Sequence, residues 1–249
     1  MYGWTTVSKD QPKYDSMAPC LNARARAKTE WEALNPDEID LFNRNVVCRK
    51  YKAGQTIFHQ GDPCKGLYFV ESGLVAVRKA DEEGKSAIVR LAHQGDTLGY
   101  RPLLAKQCHR ATAEVINESP ICFLDAPTMR RLLLSNPNLG MRFLEHTAHA
   151  LGEAEERLFQ VAALSVRTRI IHLLILLCDH YGSTTSDGTL FVELPMTRRD
   201  LANMIGARSE SLSRAFRDIQ NDGLLNLSGR TVRVDQLDLL VDELHHNLH

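Results

Sequence analysis

The stretch from Thr197 to Leu225, TRRDLANMIGARSESLSRAFRDIQNDGLL, constrains the chain more than any other. Thr197 followed three residues later by Asp200 has the form of a capping box, so a helix starts there. Leu201, Met204 and Ile205 give that helix one apolar stripe, and Gly206 breaks it after about two turns. A second stripe follows at Leu212, Ala215, Phe216 and Ile219, again with a period near 3.6 residues. Two short helices joined by a Gly-containing turn are a helix-turn-helix. The opposite face of the second helix carries Glu210, Ser213, Arg214 and Arg217 at i, i+3, i+4 and i+7, which point the same way. An Arg can fork onto guanine O6 and N7, a Glu can accept from cytosine N4, and Ser adapts to either. Glu210 and Arg214 can thus read the two halves of one G·C pair. A merely solvated face with an i, i+4 ion pair is the bland alternative. The cap, the Gly turn and the strands that flank the unit together favour DNA.

The charge balance agrees with a local basic surface. The 249 residues carry a net charge of −1, so bulk charge does not make this a polyanion binder. Between Met196 and Arg233, however, seven Arg stand against four acids, Asp200, Glu210, Asp218 and Asp222. Phosphate contacts would come from that one surface. An apolar fraction of 43% suffices for packed cores and excludes a disordered chain. The N-terminal MYGWTTVSKDQPKY lacks the apolar region of a signal peptide. The most apolar run, Ile170 to Leu177, is too short to span a bilayer. A cytoplasmic protein without a membrane partner is expected. Of six Cys, at 20, 48, 64, 108, 122 and 178, no two form a C-x-x-C pair, and reduced thiols are the expectation.

Upstream, the pattern changes twice. Asn35-Pro36-Asp37 is a helix start. From Val46 to about Ile121, turn signals at Gly54, Gly61-Asp62-Pro63, Gly66, Gly73, Gly84, Gly95-Asp96 and Gly99 separate alternating runs such as Leu74-Val-Ala-Val-Arg, which predicts an antiparallel roll or barrel. A long helix is predicted over 138–163. Its Met141, Leu144, Ala148, Leu151, Glu155, Leu158 and Ala162 keep a 3-4 heptad spacing, a seam whose simplest partner is a second copy. Packing on the chain's own roll is the alternative. Val166 to Tyr181 is a largely apolar, buried helix, and Gly188 to Leu194 a strand. Leu224–Leu227 and Thr231–Val234 around Ser228-Gly229-Arg230 form a hairpin wing. Asp235 is expected to cap a last short helix.

A roll, a long helix and a C-terminal winged helix-turn-helix in this order resemble the CRP/FNR family. The carrying residues are GQTIFHQGDPCKGLYFVESG (54–73), GDTLG (95–99) and the helix-turn-helix. The resemblance implies an α+β chain: an N-terminal extension (1–34), a cyclic-nucleotide-binding-like β-roll of jelly-roll type as sensor (35–137), a dimerisation helix (138–164) and a winged helix-turn-helix (165–249). It implies a dimeric transcription regulator whose partners are double-stranded DNA, its own copy and RNA polymerase. The DNA-binding residues it implies are Thr197, Arg198, Ser209, Glu210, Ser213, Arg214, Arg217 and Arg230. One recognition-helix type of the family has Arg just before the Glu, where this chain has Ser209. The other type has E-x-x-S-R, matched by Glu210-Ser211-Leu212-Ser213-Arg214, and implies a palindrome of TTGAT half-sites. Arg208 departs from the usual Ser or Thr cap.

The signal is written less plainly. Nucleotide-binding members carry Gly-Glu and Arg-Ser in the roll; here the pairs read Gly99-Tyr100 and Arg110-Ala111. On the long helix, Ala154-Glu155 stands where a Thr-Ser contacts the base, and a carboxylate there repels an anionic nucleotide. Control by cAMP is therefore not expected. An iron–sulfur cluster needs about four thiolates. This chain offers Cys20 and, at the roll position, Cys122, with Ala23 where a second N-terminal ligand would stand. A four-Cys cluster is not expected either, and no metal site is assigned. The cofactor stays unknown, with Cys20, Cys122, Tyr100 and Arg110 as the candidate sensor residues. Cys122 reads first as a small buried apolar residue. Cys108 and His109, neighbours in a strand, are expected to point to opposite faces. Two other function classes compete. A cupin-like metal-binding protein would need an H-x-H pair, and a cyclic-nucleotide-responsive module would need the Glu that Tyr100 replaces. No enzymatic role is expected.

Overall fold

The computed structural model describes residues 26–27, 29–185 and 189–246. Cys20, Ala23, Gly188 and the extension up to residue 25 lie outside them. The chain forms two compact units, Met1–Ala148 and His149–His249.

The first unit opens with a 3-10 turn, Glu30–Ala33, and helix α1, Pro36–Asn45. The Asn35 side chain accepts from the Glu38 amide at 3.0 Å and Glu38 returns the bond at 3.0 Å, so the start expected at Asn35-Pro36 is a full capping box. Strands β1 (Val47–Tyr51), β2 (Thr56–Phe58), β3 (Gly66–Val70), β4 (Leu74–Ala80), β5 (Ser86–His93) and β6 (Thr97–Leu98) follow. After helix α2 (Tyr100–Ala105) come β7 (Thr112–Val115) and β8 (Ser119–Asp125), then helix α3 (Ala126–Ser135) and the start of α4 (Pro137–Ala163). The strands form two antiparallel four-stranded sheets, ordered β1-β8-β3-β6 and β2-β7-β4-β5.

Alternation along β3 explains the layering. Val70, with Ile121 and Leu98, joins Phe58, Val75, Ala92, Ala113 and Val115 of the other sheet in the roll's interior. Leu67 and Phe69 face the other way, into a cluster with Trp31, Phe42, Tyr100, Leu124, Met129, Leu132, Leu139 and Phe143. Each such fully buried side chain contributes about 1.5–3 kcal/mol. Trp31 ties the cluster to the sheet by donating from its indole to Thr97 Oγ1 at 2.9 Å.

Two helices here were not expected. α2 has six residues, too few to show a period, and starts behind Gly99, whose φ of +85° turns the chain sharply. α3 starts at Asp125, whose side chain accepts from the Thr128 amide at 2.7 Å. The expectation of reduced thiols fails for Cys48 and Cys122. They stand opposite each other in the β1·β8 register and form a disulfide. Both side chains leave the sheet on the same face, so proximity follows from register and not from sequence spacing.

The second unit contains the C-terminal part of α4, then α5 (Val166–Tyr181), capped by Ser165, and β9 (Gly182–Thr184). β10 (Leu190–Glu193), α6 (Arg198–Met204), α7 (Ser209–Asn221), β11 (Asn226–Ser228), β12 (Thr231–Val234) and α8 (Leu237–His246) complete it. The sheet runs β11-β12-β10-β9. Ile170, Ile171, Leu174 and Leu177 of α5 are buried, as the apolar run requires. Asp235 takes the Arg233 guanidinium at 2.8 Å, and α8 begins two residues later, at Leu237.

Candidate nucleic-acid interface

α6 starts as its sequence dictates. Thr197 Oγ1 accepts from the Asp200 amide at 3.1 Å, and Asp200 Oδ2 accepts from the Thr197 amide at 3.3 Å. Leu201 and Ala202 are buried, Met204 is half-buried, and Gly206 makes the turn with φ +63°. α7 then buries Leu212, Ala215, Phe216 and Ile219, the stripe its spacing predicts. Glu210, Ser213, Arg214 and Arg217 are all exposed on the other face. Arg214 Nη2 lies 3.8 Å from Glu210 Oε2, with three-quarters or more of both side chains in solvent. Such a pair is weak and costs little to open, so both groups are free to turn to base edges. Ser213 Oγ donates to the Ser209 carbonyl at 2.9 Å. Arg208, at the cap, makes no capping bond, which leaves the first amides of α7 open. Open amides and a positive helix end suit a phosphate.

The flanking residues divide. Thr197 and Arg198 are exposed, and the Arg198 guanidinium lies 5.9 Å from the centre of the Phe216 ring, laid across the edge of the α7 core. Arg230 at the wing tip turns back: its Nε and Nη2 donate to the Leu194 carbonyl at 3.1 and 2.8 Å. It fixes the wing to the entry of α6, a role the sequence did not reveal.

Of the described candidate sensor residues, Tyr100 and Cys122 share one buried cluster, and Arg110 is not part of it. Tyr100 is 2% exposed, in the helix-side cluster, its ring 5.8 Å from Phe143 and 4.9 Å from His146 of α4. Arg110 is exposed. Cys122 is buried as expected, but as half of the disulfide with Cys48 rather than as a plain apolar residue. Cys108 and His109 do point apart: Cys108 is exposed and His109 is buried, stacked on Phe58 with ring centres 3.8 Å apart. Burial holds His109 below the usual imidazole range and pushes the Cys64 thiol up. Cys64 Sγ donates towards the Gly66 and Gly99 carbonyls at 3.4 Å each. Nearby Tyr68 is pushed up to about 12, chiefly by burial. Phe58, Cys64 and Tyr68 lie in the 54–73 stretch quoted for the resemblance, but nothing in the sequence set them beside His109.

The seam residues of α4 are exposed in the single chain. Met141, Leu144, Leu151 and Leu158 range from 53 to 72% exposed. Phe159 and Val161 of the same helix are exposed as well, and exposed apolar side chains in such number are a feature of interaction surfaces.

Comparison with known proteins decides the family. The cyclic nucleotide-binding domain family matches residues 48–136, and the Crp-like helix-turn-helix domain family matches 168–243. The cAMP-activated global transcriptional regulator CRP of Salmonella typhimurium is 28% identical over 198 residues, 79% of this chain and 93% of that one. Electron transport regulator A of Shewanella oneidensis is 25% identical, covering 86% of this chain and 82% of its own.

The chain belongs to the CRP/FNR family of transcription regulators.

The fold agrees. The structure of FixK2 from Bradyrhizobium japonicum superposes with a TM-score of 0.68 at 22% identity, over 79% of this chain and 96% of that one. An N-terminal sheet domain, a long helix and a C-terminal helix-turn-helix are the family's architecture. A cupin-like reading leaves the second matched domain unexplained. Among the described residues no helix is long and apolar enough to cross a membrane. Regulators of this family bind DNA and act as dimers.

Proposed function

We propose that this protein is a homodimeric regulator that reads a TTGAT-like palindromic half-site through Glu210, Ser213 and Arg214. The observation that carries the reading is α7 itself, which exposes Glu210, Ser213 and Arg214 while its other face is buried in the core. Arg214 takes guanine, Glu210 the paired cytosine, and Ser213 an adjacent base. Arg198, Arg217, Thr197 and Ser209 hold the backbone, setting register without reading sequence. Residues 35–137 serve as the sensor, 138–164 as the dimerisation helix and 165–249 as the DNA-binding domain.

The signal is not cAMP. Tyr100 replaces the ribose-binding carboxylate and is committed to packing, and Arg110 stands in solvent. The open Met141–Leu158 seam takes a second copy, across which Glu155 would face itself. Two carboxylates at close range repel, so the seam is marginal until a signal compensates. To RNA polymerase we assign the exposed, charged β4–β5 hairpin, where Asp81 Oδ1 accepts from the Glu83 and Lys85 amides at 3.1 and 2.8 Å. A regulator of this kind works in the cytoplasm.

Fluorescence anisotropy on a TTGAT-N4-ATCAA duplex and on a scrambled one, at fixed salt and without added ligand, tests the reading. Preference for the palindrome of at least about a thousandfold supports it. Equal affinity for the two contradicts the half-site.

A further inference from the structure

Arg169 of the apolar helix α5 is buried, at 9% exposure. Its Nη1 donates to the Ile205 carbonyl, and also approaches the Gly206 carbonyl at 3.5 Å. Those two carbonyls are the turn between α6 and α7. Its Nε lies buried without a hydrogen-bond partner. A buried guanidinium so incompletely satisfied is a poor stabiliser, and an apolar residue of like volume would serve a core better. Its position suggests another use, because the same turn is touched from a third side. A Cβ added at Gly206 would stand 3.1 and 3.3 Å from the two methyls of Val161 and 3.4 Å from Arg169 Nη1. Val161 is on the last turns of α4. Thus the end of α4, the start of α5 and the helix-turn-helix turn meet at one point within the second unit.

We propose that Arg169 and Val161 are positioning residues for DNA recognition: they clamp the Ile205–Gly206 turn and so set the angle at which α7 presents its base-reading face. Arg169 pins the end of α6 through the turn carbonyls. Val161 rests on the turn where Gly206 has no side chain, so a shift of the α4 end moves the turn with it. The proposal rests on the reading of α7 as the recognition helix, and says how that helix is aimed.

The test uses the full-length protein and the duplex that wild type itself selects from a random pool, so a wrong half-site does not affect it. Absence of any selected duplex would instead sink the DNA-binding reading. Arg169→Met keeps the volume and removes the donors. Preference for the selected duplex over a scrambled one should fall about tenfold or more, while affinity for the scrambled duplex is kept. Arg169→Lys, which restores a donor, should recover part of the preference. A purely structural role would lower both affinities together, and an unchanged preference would overturn the proposal for Arg169. Should Arg169→Met fail to fold, a cycle of Val161→Ala and Gly206→Ala decides. The left-handed φ of +63° at Gly206 penalises the Gly206→Ala substitution in either background and cancels in the cycle. Gly206→Ala should cost at least about threefold more preference with Val161 present than in the Val161→Ala background. No coupling would show that Val161 does not bear on the turn.

Discussion

In the winged head the polar side chains of α7 stand outward, and apolar Leu212, Ala215, Phe216 and Ile219 close the face behind them. In the roll the arrangement is reversed. The position that carries a ligand-binding carboxylate in nucleotide-binding members is a tyrosine turned into the cluster of Trp31, Phe42 and Phe143. His109 and Cys64 fill the space by Gly99 with an imidazole on Phe58 and a thiol on two carbonyls. The head presents polar side chains to solvent, whereas in the roll Tyr100 is packed away and only Arg110 of the corresponding positions stays exposed. Each of the two surfaces is backed by its own core, so one can change without the other.

The largest expected effect falls on the roll alone. Reducing the Cys48–Cys122 disulfide opens a loop with a separation of 74 residues. Chain-entropy reasoning puts the loss at about 4.5 kcal/mol. Urea titrations with and without reductant should move the roll's transition and leave the head's in place. A shift of the head's transition of similar size would break the separation drawn between the two units. Next, Tyr100→Glu restores the family's carboxylate. If the position is packing, a charge enters an apolar cluster and stability falls by about 3 kcal/mol. If the position is a ligand site, the variant is as stable as wild type and gains affinity for cAMP by calorimetry.

Smaller effects sharpen the contrast from the head's side. Thr197→Ala removes both bonds of the Thr197 hydroxyl in the α6 capping box and should cost about 1 kcal/mol. That loss should appear in the head's thermal transition only. The smallest effect is electrostatic and belongs to the roll. His93 Nδ1 lies 2.8 Å from Asp96 Oδ2, and this hydrogen bond raises the imidazole above its ordinary 6.5. Burial alone would raise Asp96. The His93 bond and Arg90 Nη2 at 3.6 Å outweigh it and hold the carboxyl below 3.8. A raised imidazole contributes fully below 6.5 and loses its contribution as pH climbs through the higher folded value. The lowered carboxyl contributes above 3.8 and loses its contribution as pH falls below that. The roll should therefore be most stable between those limits, and His93→Gln should flatten the alkaline fall. With His93 38% exposed, solvent screens the pair and the effect is slight. An unchanged alkaline limb in His93→Gln would assign the fall to another group.

The features legible in the sequence are those written locally. The α6 cap, the Gly206 break and the α7 stripe lie close together along the chain and follow from period and turn chemistry alone. The strands of the roll were legible for the same reason, since alternation and glycine turns are short-range. The disulfide was not, because β1 and β8 meet only through register. The Arg230 bond to Leu194 and the Arg169 clamp span 36 residues each and depend on which way a long side chain bends. Arg169 is hidden in an otherwise apolar helix, where nothing in the spacing sets it apart. Tyr100 was legible as a missing carboxylate but not as a packed ring, because its partners Phe143 and His146 come from α4.

The central claim is that the head reads a G·C pair with Arg214 and Glu210. A double-mutant cycle measures this directly: wild type and Arg214→Ala, each titrated by anisotropy at fixed salt against the TTGAT palindrome and against one with that pair replaced by A·T in both half-sites. Wild type should lose about 1–3 kcal/mol per half-site on the altered duplex, and Arg214→Ala should bind both duplexes alike at the weaker affinity. If Arg214→Ala still prefers the G·C palindrome by the wild-type margin, Arg214 does not read that pair and the assignment of α7 is wrong.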